Sequence, residues 1–454
     1  MELETHRAPR IAIIGAGWAG LAAAVRAQQT GCAVTLFEAA RQAGGRARSV
    51  PLAGGEVLDS GQHILLGAYT HTLALLRALG VQQERVFLRA PLALRYADGS
   101  GLALPALPAP LHALTGIAAA RGWRWGERWA LLRAAARWQR AGFACEDSAS
   151  VEQLGAGLPP RLIADFIEPL CISALNTPLP QASAAVFLRV LRKALCRRAA
   201  SDVLLPRAPL GEVLPAPALR FLAAHGATLH LGQRVQALHW RQPHWLVAGQ
   251  AFDAVLLATD APSAARLVQR AALGAPPALA AELRRWQRAA AALEMRPITC
   301  VYACVEAAAA RRLPPMLVLH SGVEAPAQFV FNRAAIAGKT DGRADGTCVL
   351  AFVISASSGE RAWEERQTLA QAQAQLGLHA QPLHTHCERR ATFACTPALL
   401  RPPQRIAPAL LACGDYVAGP YPATLEGAVM NGNAAATAAL QSAPFRSSAG
   451  VVQW

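Results

Sequence analysis

Short apolar runs that end at a glycine or an acidic residue alternate with helical patterns along the chain. Ile11 to Ile14 form one such run before a glycine, and Ala33 to Phe37 form another, which ends at Glu38. A short apolar run without polar alternation predicts a parallel strand that is buried on both faces. Similar runs over 252–259 and 409–414 predict that segments distant in sequence share one sheet.

Between these segments the pattern changes twice. Helical periodicity dominates from the prolines near residue 105 to about residue 198, which predicts a helical insertion. Alternating runs over 298–305 and 347–354 predict a second sheet, and 90–96, with the turn that follows it, predicts a strand of another sheet. Helices are predicted at 70–79 and from residue 425 onwards. We therefore expect an α/β protein with a parallel sheet built from discontinuous segments, a separate mixed sheet and a helical insertion.

Composition narrows the classes of partner. The 454 residues are 53% hydrophobic and 16% charged, which indicates a folded chain of two or three domains. The formal net charge is +15, from 44 basic and 29 acidic residues. Because the basic residues are spread along the chain without a recognition motif, no nucleic-acid partner is expected. The net charge is also consistent with a basic surface that faces anionic lipid.

The first residues lack an apolar signal core, and no long uncharged apolar run predicts a transmembrane helix. None of the ten cysteines forms a CxxC pair, and we expect no bound metal. Cys300 and Cys304 are predicted to lie on one face of a strand as core thiols. Free thiols without a signal indicate a cytoplasmic protein.

The most specific motif follows the first strand. Gly15, Gly17 and Gly20 match the dinucleotide fingerprint, in which glycines permit a tight turn, a close approach to pyrophosphate and close packing of helix on strand. The helix that begins there directs free N–H groups at the phosphates. Glu38 ends the second strand, where a carboxylate accepts hydrogen bonds from ribose hydroxyls. These features together predict a bound dinucleotide.

Gly44-Gly45-Arg46-Ala47-Arg48 follows soon after and adds fixed positive charge. This order of motifs resembles the flavin amine oxidase and phytoene desaturase superfamily, which binds FAD. The resemblance implies that Gly414-Asp415 lies against the ribityl-phosphate part of FAD and that the helix from Leu425 points at the flavin ring. It also implies that Val235 holds the adenine through its backbone and that Ala258-Thr259 covers the cofactor.

The resemblance implies a Rossmann-like FAD-binding domain of discontinuous segments, with a mixed-sheet substrate domain and a helical insertion. The expected boundaries are 1–88, 216–285 and 401–454 for FAD binding, and 89–215 and 286–400 for substrate. The residues expected to contact FAD are Gly15, Ala16, Gly17, Trp18, Ala19, Gly20, Glu38, Ala39, Gly44, Gly45, Arg46, Arg48, Gly61, Gln62, His63, Val235, Ala258, Thr259, Gly414, Asp415, Leu425, Glu426 and Ala428.

Other segments resemble one branch of the superfamily. Leu58-Asp-Ser-Gly-Gln-His-Ile-Leu-Leu-Gly-Ala-Tyr69, Pro169 to Pro178, Ala182 to Leu191 and Ala200 to Pro206 are similar to the hydroxysqualene dehydroxylases of hopanoid biosynthesis. Ser60 departs from the asparagine expected there. The resemblance implies reductive removal of the allylic hydroxyl of hydroxysqualene, giving squalene, with hydride from reduced FAD. An apolar tunnel and one proton donor are then required.

Two alternatives remain. An oxidative carotenoid-type desaturase would use the same flavin motifs in the opposite direction, and a non-catalytic flavoprotein or lipid-carrier scaffold would retain flavin without turnover. Because no second dinucleotide fingerprint is present, a reductive enzyme is expected to need a separate electron donor.

Three residues are candidates for the proton donor. His63 follows the turn at Gly61 and is a plausible acid near neutral pH, although it could equally shape the loop beneath the cofactor. Asp202 would serve if burial raised its pKa, but a capping role is the alternative. Tyr421 precedes the flavin-facing helix and could line the ring or only pack.

Arginines alternate with tryptophans from Arg121 through Trp123, Trp125 and Trp129 to Trp138. This pattern is typical of a helix at a membrane interface, with indoles at headgroup depth and arginines against anionic lipid. We expect peripheral contact with the inner face of the cytoplasmic membrane. An amphipathic core helix with a basic outer face is the alternative.

Overall fold

The computed structural model describes residues 7–52, 55–195, 200–338, 343 and 345–442. Cys196, one of the ten cysteines, and the first six residues lie outside these ranges. The strands, in chain order, are β1 Arg10–Ile14, β2 Ala33–Glu38, β3 Ser49–Pro51, β4 Val57–Asp59, β5 Leu65–Leu66, β6 Phe87–Ala90, β7 Ala93–Arg95, β8 Gly101–Ala103, β9 Val203–Pro206, β10 Thr228–Leu231, β11 Leu238–Arg241, β12 His244–Val247, β13 Gln250–Phe252, β14 Ala254–Leu257, β15 Met295–Glu306, β16 Met316–Val318, β17 Phe329–Asn332, β18 Thr347–Ile354, β19 Gln381–Phe393, β20 Arg405–Ala407 and β21 Leu410–Ala412.

The helices are α1 Trp18–Gln29, α2 Thr70–Ala78, α3 Gln83–Val86, α4 Leu111–Ala118, α5 Trp125–Arg140, α6 Val151–Leu154, α7 Pro160–Leu162, α8 Glu168–Leu175, α9 Ala184–Leu195, α10 Leu210–Val213, α11 Pro215–Ala224, α12 Ala261–Leu273, α13 Pro277–Ala291, α14 Ala307–Ala310, α15 Arg333–Ala337, α16 Arg361–Leu376 and α17 Leu425–Ser442. A π-helical turn, Ile163–Ile167, joins α7 to α8.

A six-stranded sheet in the order β10-β2-β1-β14-β21-β20 forms the centre of the dinucleotide-binding part. Its strands are parallel except for the pair β20–β21. Ile14 lies opposite Phe37 on one side and Leu257 on the other, and all three are buried. The sheet combines three distant stretches of chain, which confirms the expected discontinuous α/β architecture.

Helices α1 and α17 pack closely against each other above this sheet. A side chain at Gly432 would place its Cβ within 2.2 Å of the carbonyl oxygen of Ala19, so the two helix backbones approach almost to contact. Gly432 permits this close approach because it has no side chain. The contact fixes the C-terminal helix on the first helix of the chain.

The second sheet has the strand order β16-β17-β18-β15-β19 and is antiparallel throughout, where the sequence analysis expected a mixed sheet. Its long central strand β15 pairs with β18 from Thr299 to Glu306 and with β19 on the other side. Tyr302 on β15 donates a hydrogen bond of 2.9 Å to the carbonyl oxygen of Asp59, so this sheet is tied to the dinucleotide-binding part.

Helices α4 to α9 form the predicted helical insertion between the two parts of the fold. Its interior is apolar, with Leu131, Trp138, Leu162 and Phe187 among the buried side chains. Over the part of the chain that the structure describes, no helix is both long and apolar enough to cross a bilayer.

Two local predictions need correction. The single strand predicted at 90–96 is divided into β6, which pairs with β9, and β7, which pairs with β8. Pro91 lies at the division and has no N–H to continue a ladder. Cys300 is buried as predicted, whereas Cys304 is only partly buried and accepts a hydrogen bond of 3.0 Å from Arg343 at its Sγ.

Candidate functional site

A continuous cavity of about 960 Å³ extends from the carboxyl ends of β1 and β2 to the space between the second sheet and the helical insertion. All the residues predicted to contact the cofactor line it, except Ala16 and Gly20. These two lie behind the wall, where Gly20 packs against the carbonyl of Gly15. The structure thus brings together segments that the sequence separates by up to four hundred residues.

The first glycine turn fits closely against neighbouring backbone. Gly15 has a φ of +111°, and a Cβ there would lie 2.7 Å from the carbonyl oxygen of Ala258. A Cβ at Gly17, in contrast, would meet only the Cα of Gly45, at 4.0 Å. Gly17 therefore leaves open space between two backbone turns, as a pyrophosphate requires.

Glu38 stabilises the first glycine turn and the backbone that follows β2. Its carboxylate accepts a hydrogen bond of 2.7 Å from the N–H of Ala16 and one of 2.8 Å from the N–H of Ala40. A carboxylate has about four lone-pair positions, so two remain for ribose hydroxyls. Val235 and Thr259 line the cavity on either side of this end.

Arg46 makes two short polar contacts beside the cavity. Its guanidinium donates at 2.6 Å to the Asp415 carboxylate and at 2.6 Å to the carbonyl oxygen of Ala391 on β19. The paired carboxylate raises the pKa of Arg46 against the opposing effect of burial. The two residues predicted separately as cofactor contacts therefore form an ion pair with each other beside the cavity.

The N-terminus of α17 also opens on the cavity, through Leu425 and Ala428. Thr424 accepts a hydrogen bond of 3.0 Å from the N–H of Gly427, which fixes the first turn of the helix. Glu426 is engaged elsewhere: its carboxylate accepts bonds from the N–H groups of His71 and Thr72 and from the Thr72 hydroxyl. Its charge therefore caps α2.

The loop from Gly61 to His63 lies where the two sheets meet. The Nδ1 atom of His63 is 2.9 Å from the carbonyl oxygen of Gly61, so the ring is held by its own loop. Burial is the largest effect and lowers the pKa of His63, and the charge of Arg46 acts in the same direction, whereas the Gly61 bond and Asp59 oppose them. The ring is therefore neutral at neutral pH, which makes its protonated form scarcer than the sequence suggested.

The other two proton-donor candidates are placed differently. Tyr421 lines the cavity, and the ammonium group of Lys193 lies 5.5 Å from its ring centre. Asp202 does not line the cavity; its carboxylate pairs with Arg89 at 2.8 Å. A carboxylate that is ion-paired and does not line the cavity is unsuited to donate a proton there, so Asp202 is not retained as a candidate.

Beyond the loop at 61–63 the cavity wall is mainly apolar. Both sheets and the insertion contribute to it, and representative residues are Leu94, Leu104, Ile117, Phe166, Phe329 and Phe331. A long apolar space beside a dinucleotide site suits a hydrocarbon chain.

Sequence reasoning missed several polar residues of the wall. Lys193 and Asn176 line the cavity, and Arg333 supports it from behind. Asn176 lies in the segment from Pro169 to Pro178, which the sequence analysis noted only for its similarity to hydroxysqualene dehydroxylases. Arg333 and Lys193 had no sequence signal, because their roles depend on contacts with residues more than two hundred positions away.

Comparison with known proteins agrees with this geometry. A family model described as flavin containing amine oxidoreductase matches residues 18–440. A hydroxysqualene dehydroxylase of Sinorhizobium fredii is 27% identical over 94% of this chain and 97% of its own length. One of Rhodopseudomonas palustris is 29% identical over 93% of this chain and 96% of its own.

Solved structures share the fold. An oxidoreductase from Methanosarcina mazei gives a TM-score of 0.71 at 14% identity, covering 94% of this chain and 99% of the other. A triple mutant of putrescine oxidase gives a TM-score of 0.68 at 17% identity, covering 95% of this chain and 98% of the other. The matches confirm the predicted fold class, the resemblance to hydroxysqualene dehydroxylases and FAD as the cofactor. The open glycine cradle, Glu38 and the N-terminus of α17 fit that cofactor.

The Arg46–Asp415 pair provides a test of this site. We expect Arg46→Met to destabilise the protein by about 2–3 kcal/mol, because the Asp415 carboxylate would stay buried without its partner. FAD content after gel filtration and the melting temperature should both fall. Arg285→Met, which removes an exposed arginine of α13, is the matched control. Unchanged FAD retention in Arg46→Met would contradict a role for this pair in holding the site.

Proposed function

The chain belongs to the flavin-containing amine oxidoreductase family and is an FAD-dependent oxidoreductase, and we propose that it reduces hydroxysqualene to squalene. The observation that supports this proposal most directly is the continuity of the dinucleotide site with a mainly apolar cavity. The two relatives named hydroxysqualene dehydroxylase, similar over nearly the whole chain, support the same substrate.

The reaction replaces a hydroxyl by hydrogen. Protonation of the allylic hydroxyl lets the C–O bond break and water leave, and the resulting cation is delocalised over the adjacent double bond. When bound in its reduced form, FAD supplies the hydride that quenches this cation. The protein's own residues must place the hydroxyl, deliver one proton and exclude competing water.

The structure supports a division of these tasks along the cavity. Leu104, Ile117 and Phe331 surround the hydrocarbon and keep water out, because they offer it no hydrogen bonds. His63, at the junction with the dinucleotide site, is the residue that we propose as proton donor. Its lowered pKa makes the protonated imidazole a stronger acid but a less abundant one. A separate electron donor is proposed to restore the reduced cofactor.

The decisive experiment is anaerobic incubation of the chemically reduced holoenzyme with hydroxysqualene, following flavin absorbance and lipid product together. We expect reoxidation of the flavin with one squalene formed per flavin. A flavin that stays reduced with intact substrate would contradict the proposal. Desaturation of a polyene by the oxidised enzyme would then indicate the oxidative alternative, and retention of flavin without either turnover would indicate a scaffold.

The role of His63 predicts the direction of the pH dependence. Because burial lowers its pKa, the donor form accumulates only below the ordinary value of about 6.5. We expect the single-turnover rate of flavin reoxidation by hydroxysqualene to rise as the pH falls through and below that value. His63→Gln should lower the rate roughly 100-fold and abolish the pH dependence.

His379→Gln, which changes an exposed histidine, is the matched control and should keep the wild-type profile. A His63→Gln variant that retains the same pH profile would assign the proton to another residue.

We propose further that the protein contacts an anionic membrane surface through an apolar surface patch formed by Leu107, Leu111, Leu114, Trp125 and Trp129. These side chains are between 40% and 69% exposed. The sequence analysis expected four tryptophans at the membrane interface. Two of them, Trp123 and Trp138, are buried, so only Trp125 and Trp129 belong to the patch.

The position of the patch supports this contact. On α4, Ala113 and Ile117 line the cavity while Leu111 and Leu114 face outward, so the patch lies directly over the apolar space. Arg128 joins α4 to α5 by donating to the carbonyl oxygens of Ala118 and Ala120. Exposed arginines around these helices provide the charge that complements anionic headgroups.

We expect Trp125→Ser/Trp129→Ser to weaken binding to vesicles containing anionic phosphatidylglycerol by about tenfold or more, since two indoles would no longer enter the interface. Co-sedimentation at low and high salt measures this. Leu273→Ser/Leu400→Ser, which changes two exposed leucines outside the patch, is the matched control. Equal binding of both double variants would remove the patch from the proposal.

A further inference from the structure

Arg333 reaches from the second sheet to the loop that separates the two ends of the cavity. It begins α15, directly after β17, and its side chain is largely buried. Its Nη1 atom donates at 3.0 Å to the Oε1 atom of Gln62, and its Nη2 atom lies 3.6 Å from the Asp59 carboxylate. This contact joins residues that are 271 positions apart in the sequence.

The partner carboxylate is itself fixed. Asp59 is buried and accepts a hydrogen bond of 2.8 Å from the N–H of Leu210, while its backbone carbonyl accepts one of 2.9 Å from the Tyr302 hydroxyl. A guanidinium held by such a carboxylate has little freedom to turn. Arg333 is therefore a rigid donor directed at Gln62.

This donor determines which way the Gln62 amide faces. A guanidinium can only donate, so it binds the amide oxygen and excludes the flipped amide, which would bring two donors together. The Gln62 NH₂ group then makes a bond of 3.2 Å to the carbonyl oxygen of His63, and its second N–H has no partner among the described residues. Because Gln62 lines the cavity, the cavity gains a hydrogen-bond donor.

The neighbouring His63 supplies the complementary group. Its Nδ1 atom donates to the carbonyl oxygen of Gly61, which makes Nε2 the acceptor in the neutral ring. A donor and an acceptor on adjacent residues match an alcohol, whose oxygen accepts and whose proton donates. In the protonated ring, Nε2 carries the proton that the leaving hydroxyl requires.

Another amide of the cavity wall is not available for this role. Asn176 donates to Thr392 Oγ1 at 2.9 Å and to the carbonyl oxygen of Pro297 at 3.3 Å, and its own oxygen accepts from the N–H of Ala356. Both ends of this amide are therefore used in holding the wall together.

We propose that Gln62 binds the hydroxyl oxygen of the allylic alcohol and that Arg333 is the positioning residue that orients its amide. This inference rests on the proposed function. A site that hydrogen-bonds a hydroxyl discriminates against the analogue that lacks it, because its polar group is left without a partner. The reaction removes that hydroxyl, so the hydrocarbon product loses the contact. The product therefore binds more weakly than the substrate and dissociates more readily.

The test compares binding of hydroxysqualene and of squalene to the oxidised holoenzyme, in which no hydride is available, with flavin fluorescence as the readout. The measured quantity is the ratio of the two dissociation constants. We expect Gln62→Met to reduce the preference for the alcohol about tenfold while squalene binds as before. Arg333→Met should reduce the preference similarly, and Arg333→Lys should retain most of it, because an ammonium can also donate to the amide oxygen.

Arg285→Met is the control for the lost charge, and FAD content and melting temperature are measured for each variant. A preference that is unchanged in Gln62→Met would overturn the assignment of this residue. Equal weakening of alcohol and hydrocarbon in Arg333→Met, without rescue by lysine, would show a structural effect and overturn the positioning role. If the wild-type protein binds neither lipid, the proposed function fails and this inference fails with it.

Discussion

The guanidinium of Arg46 is the contact on which the geometry of the cofactor site depends. It belongs to the second glycine turn, yet it binds a carbonyl of β19 in the other sheet and the carboxylate of Asp415, near the C-terminal helix. Both bonds measure 2.6 Å, and Asp415 is buried. A buried carboxylate is costly without a cation, so separating the two partners is unfavourable in the folded protein. The pair therefore holds the dinucleotide site and the second sheet in one arrangement.

A second constraint is the change of polarity along a single cavity. The dinucleotide end is formed by glycine backbone, Glu38 and the N-terminus of α17, whereas the far end is formed mainly by aliphatic and aromatic side chains. The loop at 61–63 lies at the boundary and provides polar atoms of its own. A reaction that produces a cation beside a hydrocarbon needs this arrangement, because water admitted there would compete for the cation.

The sequence predicted the parallel strands, the glycine turns and the helical insertion, because each depends on a local pattern of apolar residues and glycines. Of the residues that it predicted as cofactor contacts, all except Ala16 and Gly20 line the cavity. It did not predict that Arg46 and Asp415 pair with each other, that Glu426 caps α2, or that Arg333 orients Gln62. These contacts join residues from distant segments, and no local pattern records which charges meet after folding. Burial, likewise, lowers the pKa of His63 only once the surrounding chain is in place.

The close contact of α17 with α1 has a consequence for biosynthesis. The glycine turn after β1 leaves the ribosome well before β21 and α17, which complete the same cleft. Because Gly432 must reach the backbone of Ala19 for the two helices to pack, the cleft cannot close during translation of the intervening segments. Cofactor loading is therefore a late event, and a chain truncated before α17 would expose the first helix to quality-control proteases.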